Sequence, residues 1–447
     1  METPNKGDSR WGSLFKNDLQ GMLLPILLIT IIGSVNIFSA TYISSIYENT
    51  GLLGYFLKHM TFLLLSMAVG VILYRYDYRQ LQKPHMLQRI MIVTLIGMIL
   101  VLVIGAVING ARRWIVIGPV SIQPSEFAKL AALIWTAAKL STMRKWEKPK
   151  HTNPLINLQG YFSERISYML PMLIWPIIFA GLTILQPDMG TTVLIFGFSF
   201  VLIYLAGFDG KFFGGAFVIA GFLGFIAARM SPYRWERIQS WFDPWPHAQD
   251  MGYQTVQGLL AVGSGGILGE GFMQGTSKYF YLPEAHTDFA FAVWAQEMGF
   301  IGAVFVVVLI AAFTYFGFRI SNKARDEFGK WLAMGITLLI SGQALFNIAM
   351  VCGIMPVTGV PLPFVSYGGS SLLMNFMAIG LLASIGRRNV EGVKPVGTAE
   401  PLPSLREETQ SRFKPAATTR TNKTNMPGPF KPRSSKKSTR RQTKFER

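Results

Sequence analysis

Ten stretches of this chain stay apolar long enough to cross a bilayer, which takes about 20 residues of helix. They lie near 19–40, 54–74, 88–108, 124–141, 168–185, 188–206, 211–229, 286–318, 328–352 and 367–386. The pattern predicts an all-α integral membrane protein of about ten transmembrane helices. Lys6, Arg10 and Lys16 precede the first stretch, and no small-residue cleavage site ends it, so it reads as a retained anchor. One connection is long. Residues 230–285, between the seventh and eighth spans, are too polar to span and rich in glycine and aromatic side chains. A loop of that length predicts a functional cap with short helices of its own.

Composition supports this class. Of 447 residues, 50% are hydrophobic and only 15% are charged, against about 25% in an average soluble domain. The single cysteine, Cys352, lies in an apolar run, so no disulfide can form within the chain. The five histidines are scattered and show no metal-ligand spacing.

The net charge of +18 is unevenly placed, and its placement orients the chain. With the N-terminus in the cytoplasm, one set of loops carries Arg75, Arg79, Lys83 and Arg89, then Lys139, Arg144, Lys145, Lys148, Lys150 and Arg165, then Lys211, then Arg319, Lys323, Arg325 and Lys330. The opposite set carries Arg112, Arg113, Arg229, Arg234, Arg237 and Lys278. Short loops with the excess of Lys and Arg face the cytoplasm. An even number of spans then makes both termini cytoplasmic and the 230–285 loop extracytoplasmic. Three regions follow: an N-terminal segment (1–18), a membrane domain (19–386) and a basic tail (387–447). The tail holds sixteen Lys and Arg against five acids and few large apolar residues, and is expected to be disordered. Aromatic residues are sparse among that charge, so its expected partner is anionic membrane lipid and not nucleic acid.

Topology also gathers the ionisable residues of the spans on one side. Glu126 and Lys129 follow Pro124 in the outer turns of the fourth span, three apart and so on one helix face. Arg112 and Arg113 precede that span. Asp188 lies in Gln186-Pro187-Asp188, an outer turn before the sixth span, where it could serve as a helix N-cap. Asp288 sits at the outer lip of the eighth span, in Leu282-Pro283-Glu284-Ala285-His286-Thr287-Asp288-Phe289. A carboxylate held where lipid meets water is costly, which marks Asp288 as the centre of an outward-facing site. Glu126 and Lys129 could equally be a structural ion pair, and the two arginines could reach the headgroups. A last loop, 356–371, has three prolines, four Ser or Thr residues including Ser366, the pair Gly368-Gly369 and no charge. Non-helical backbone at that depth must be buried in protein or line a cavity.

These motifs, taken in order, resemble the SEDS family of bacterial shape, elongation, division and sporulation proteins, which includes FtsW, RodA and SpoVE. The resemblance rests on Gly110-Ala111-Arg112-Arg113-Trp114, Gln123-Pro124-Ser125-Glu126, Gln186-Pro187-Asp188, the segment around Asp288, and Pro361-Leu362-Pro363 with Ser366-Tyr367-Gly368-Gly369-Ser370. It covers about residues 15–390. It implies a plasma-membrane glycosyltransferase that polymerises lipid II into glycan strands, beside a class B penicillin-binding protein. It further implies that Asp288 is catalytic and that Arg113, Glu126 and Lys129 support function. Asp188, Glu284, Ser366, Gly368 and Gly369 join them as candidate site residues. Asp288 would act as general base on the acceptor hydroxyl, while Arg113 and Lys129 offset charge on the leaving pyrophosphate. A divalent cation, Mg or Mn, could share that duty, although no ligand cluster is legible. A lipid II flippase and a non-catalytic scaffold are the rival readings. Within the family, features of the division-type FtsW branch outweigh those of RodA and SpoVE.

Overall fold

The computed structural model describes residues 17–391, apart from 48–50, 52, 109, 119, 144–157, 231 and 280. The basic tail beyond 391, most of the N-terminal segment and the basic stretch 144–150 lie outside the described residues.

All ten predicted spans fall on helices. In chain order these are α1 (Asp18–Tyr47), α2 (Gly54–Arg75), α3 (Pro84–Ile104), α4 (Pro124–Thr142), α5 (Leu158–Leu185), α6 (Met189–Leu205) and α7 (Gly210–Arg229). Two short helices follow in the long loop, α8 (Pro232–Phe242) and α9 (Tyr253–Ser264), as its length predicts. The last three are α10 (Ala290–Asn322), α11 (Glu327–Val351) and α12 (Gly369–Glu391). Among the described residues, seven of these, α1, α2, α3, α5, α10, α11 and α12, are long and apolar enough to cross a membrane. Of the other three, α6 is shorter and α4 carries charge. Helix α4 holds Glu126, Lys129 and Lys139, of which the first two are buried and paired with each other.

Helix α4 packs against α3, α5, α6 and α11. Ala128, Ala131, Ala132, Ala137 and Ala138 are all buried there. Small side chains let neighbouring backbones approach closely, which is how helices associate where lipid gives no hydrophobic drive. The tight crossing of α2 and α12 has the same origin, since a Cβ on Gly380 would press on the carbonyl of Gly70.

Three features depart from the sequence reading. The third span stops at Ile104, not 108, and the chain becomes a three-stranded antiparallel meander: β1 (Ala106–Ile108), β2 (Ala111–Ile117) and β3 (Val120–Ile122). Valines and isoleucines favour strand there, and Gly110 and Gly118, both with positive φ, turn the chain between strands. The fifth helix starts at Leu158, ten residues before the predicted span. The eighth span is preceded by a turn and then broken. Gly299, at φ 66 and ψ −168, splits α10 two turns from its start.

Segment 266–271 fills that break. Glu270 N–H and Gly271 N–H donate to the carbonyls of Gln296 (3.0 Å) and Glu297 (3.1 Å), while Phe300 N–H donates to Gly266 O (2.9 Å). Both cut ends of the helix are thereby satisfied by chain from the long loop. A buried triad fixes the same region: Lys278 Nζ donates to Glu297 Oε1 (2.8 Å) and to Ser39 Oγ of α1 (3.1 Å).

Candidate functional site

Asp288 lies in the turn that leads into α10. Phe289 caps that helix and is fully buried, so it anchors the turn. Glu284 adopts φ +53, which folds the preceding backbone so that Glu284 O accepts from Thr287 N–H (3.1 Å) and Phe289 N–H (3.2 Å). Thr287 Oγ1 donates to the Glu284 carboxylate at 2.6 Å. The Asp288 carboxyl is pushed up to about 7, first by burial and then by the negative charges of Glu284 and Asp188; Arg113 pulls in the opposite direction. Four residues drawn from three separate motifs of the sequence are therefore within electrostatic reach of one another.

Asp188 does cap a helix. It accepts from Thr191 N–H at 3.1 Å at the start of α6, and its second oxygen accepts from Gln123 Nε2 at 3.3 Å. Arg113, carried on β2, donates through Nε to Gln186 O (3.1 Å) and through a terminal nitrogen to Pro187 O. The strand meander thus delivers the guanidinium to the turn that holds Asp188. Arg112, its neighbour on the strand, turns back onto the carbonyls of Leu102 and Val103.

Glu126 and Lys129 form the expected ion pair at 2.9 Å, with the lysine side chain only 1% exposed. Lys129 also donates to Gln343 Oε1 of α11 at 2.9 Å. Its ammonium is therefore enclosed between α4 and α11 and supports the site from within the bundle. Arg113 is the cation placed beside Asp288.

The loop 352–368 closes the other side of the site. Val360, Leu362, Phe364 and Val365 are buried, so this irregular backbone is covered by protein. Ser366 Oγ accepts from Leu362 N–H (2.9 Å) and holds the loop's own turn. Gly369 lies against the Phe62 ring, where a Cβ would fall at 2.9 Å, whereas Gly368 has room. Ser370, at the start of α12, links to the meander by donating to Ser121 O of β3 (3.3 Å) and accepts from Gln123 N–H before α4 (3.0 Å). Tyr367 N–H donates to His286 O at 2.8 Å and so joins this loop to the Asp288 turn. The His286 ring packs between Tyr55 and Tyr367.

Sequence reasoning missed two residues of α11. Gln343 Nε2 donates to Pro361 O (2.9 Å), and Asn347 Nδ2 donates to both Asp288 O and Val360 O (2.7 Å each). A signal for them existed, because two amides one turn apart inside an apolar span are expensive unless used. The triad of Lys278, Glu297 and Ser39 was missed in the same way.

Comparison with known proteins shows the family. Residues 20–391 match the family model FTSW_RODA_SPOVE, described as "Cell cycle protein". Stage V sporulation protein E of Bacillus subtilis is 35% identical over 374 residues, covering 83% of this chain and 97% of the relative. The Bacillus subtilis protein named "Probable peptidoglycan glycosyltransferase FtsW" is 32% identical, covering 81% and 89%. Among solved structures, a chain from a peptidoglycan synthase complex that coordinates polymerization and crosslinking superposes with TM-score 0.65 at 26% identity, covering 83% of this chain and 98% of that one. The rod shape determining protein RodA of Thermus thermophilus superposes with TM-score 0.57 at 25% identity, covering 85% and 99%.

Proposed function

This chain belongs to the FtsW/RodA/SpoVE family, and we propose that it is a peptidoglycan glycosyltransferase that polymerises lipid II at the outer face of the plasma membrane, with Asp288 as general base. The observation that carries this reading is the gathering of Asp288, Glu284, Asp188 and Arg113 at one end of a bundle of this family, where burial and the neighbouring negative charges raise the Asp288 carboxyl to about 7. A base serves best when its pKa lies near the working pH.

The acceptor hydroxyl attacks the anomeric carbon of the donor sugar. The bond from that carbon to the pyrophosphate oxygen breaks, and the hydroxyl proton passes to Asp288. Attack opposite the leaving group inverts the sugar carbon. Arg113 supplies positive charge where the pyrophosphate gathers negative charge. Glu126 and Lys129 hold α4 to α11 behind it. Among the described residues, no three His, Cys, Asp or Glu side chains group closely enough to hold a metal ion. A divalent ion such as Mg or Mn usually takes only one or two carboxylates beside the substrate's phosphates, and no step is assigned to one.

The reaction suits the architecture. The substrate's isoprenoid must stay in the bilayer while its sugar head stands at the surface. The acidic and basic groups gather at one end of the bundle, where both parts can be held. A flippase reading would favour binding groups near the midplane on broken helices, whereas Asp288 precedes its helix. The proposed partner is a class B penicillin-binding protein that crosslinks the strands. Sporulation-type and division-type relatives match at 35% and 32% identity, so both roles fall within the proposed activity.

The test is polymerisation of purified lipid II by this protein with its cognate transpeptidase. Wild type should make glycan polymer. Asp288→Asn should make none while still folding and binding the partner. Full activity in Asp288→Asn would overturn the assignment.

A further inference from the structure

Three consecutive facts about the 352–368 loop set up an obligation. Pro356, Pro361 and Pro363 have no backbone N–H to offer. Val360 and Leu362, on either side of Pro361, are buried away from solvent. The carbonyls of Val360 and Pro361 must therefore find donors elsewhere, because buried carbonyls are almost always paired. Asp288 presents the same demand. Its helix is capped by Phe289, whose carbonyl takes the first N–H groups of α10, so Asp288 O lies outside the helical ladder.

Helix α11 answers all three carbonyls with two side chains. Gln343 and Asn347 are four residues apart, hence stacked on one face, and both are fully buried. Gln343 takes Pro361 O at 2.9 Å. Asn347 takes Val360 O and Asp288 O, each at 2.7 Å. The two hydrogens of one amide nitrogen diverge, so a single group can reach both acceptors. Because both partners are acceptors, the amide orientation is fixed: nitrogen must face them. Gly359, next to Val360, lies against the Asp288 carboxylate, where a Cβ would fall 3.4 Å from Oδ2. The same short stretch of loop thus meets Asp288 twice, at its carboxylate through Gly359 and at its carbonyl through Asn347.

We propose that Asn347 is a positioning residue: by clamping Asp288 O to Val360 O it sets where the Asp288 carboxylate stands relative to the acceptor hydroxyl, with Gln343 holding the loop one residue further along. This rests on Asp288 being the general base. Gln343 extends the support, since its other end carries Lys129. The ion pair of α4 and the turn of Asp288 are both fastened to one face of α11.

The experiment compares wild type, Asn347→Leu, Asp288→Asn and a core variant, Leu309→Ala, each purified with the transpeptidase. Initial rates of lipid II polymerisation are taken against substrate concentration and across the pH range around 7 where Asp288 titrates. Asn347→Leu keeps the volume and removes the donor. A misplaced base should lower kcat about 10- to 100-fold while KM changes little, and should move the acidic limb of the pH profile. Leu309→Ala, buried in α10 far along the helix, should lose thermal stability with that limb unmoved. If Asn347→Leu keeps the wild-type limb and loses no more rate than Leu309→Ala, Asn347 is merely structural and the proposal is overturned. Should the leucine variant not fold, Asn347→Ser, which retains one hydroxyl donor, carries the same comparison. Activity in Asp288→Asn would sink the general-base reading itself, a result separable from any behaviour of Asn347.

Discussion

Gly359 faces the catalytic candidate Asp288 so closely that a Cβ at position 359 would stand 3.4 Å from Oδ2. Gly359 also holds φ +76, a left-handed backbone that costs other residues about 1–2 kcal/mol. Gly359→Ala should therefore combine backbone strain with a methyl group set in contact with the carboxylate. Gly353→Ala is the matched control, because Gly353 has φ +73 in the same loop and approaches only Leu259. Melting should fall by a similar amount in both, and polymerisation should fall much further in Gly359→Ala. Equal activity in the two variants would separate Gly359 from the chemistry.

A second prediction concerns pH. As a base, Asp288 must be ionised, so activity should rise as pH increases through about 7. Removing the negative charge of Glu284 with Glu284→Gln should shift that limb to lower pH. Removing the positive charge with Arg113→Ala should shift it higher. The rate profile of each variant reads the direction directly.

The same shift bears on stability. A carboxyl with a raised pKa binds its proton more tightly in the folded state than in the unfolded chain. The stability this confers is full below the ordinary carboxylate range and is lost as pH rises through about 7. Asp288→Asn carries no such penalty. Above pH 7 it should melt higher than wild type while making no polymer, the usual exchange of activity for stability at a functional site. Thermal melts of both proteins at acid and alkaline pH provide the check.

The ion pair inside the bundle makes a fourth test. Breaking a buried pair by removing one partner costs about 3–5 kcal/mol, because the other charge is left uncompensated. Glu126→Gln strands Lys129, which is 1% exposed, and should lower the melting temperature sharply. Adding Lys129→Met to Glu126→Gln removes the stranded charge and should recover part of the loss. A double variant less stable than the single would show that Lys129 needs no anion.

The break in α10 supplies the last. Gly299 combines φ 66 with ψ −168, a conformation essentially confined to glycine. Any Cβ there would overlap Gly269 N. Gly299→Ala should unseat segment 266–271 and expose the long loop to protease. Gly263→Ala, with open space around it, should leave digestion unchanged.

What could be read before the structure, and why, is clear from particular residues. The ten spans were legible because crossing lipid imposes a length and an apolar composition on consecutive residues. Asp288, Glu126 with Lys129, and Asp188 with its cap were legible because each is a local pattern. The meander at 106–122 was not, because valines and isoleucines serve a membrane helix as readily as a strand. The break at Gly299 was not, because one glycine in an apolar run looks like helix.

The sequence by itself determined a ten-helix membrane body with its titratable groups at one mouth, since hydropathy and charge act residue by residue along the chain. Tertiary structure alone decided the partners: Lys129 with Gln343, 214 positions away, Asn347 with Asp288, 59 away, and Ser39 with Glu297, 258 away. A buried polar group must be paired, but nothing local says with what. That choice belongs to helix packing, which brings distant side chains within hydrogen-bonding reach only once the whole bundle has assembled.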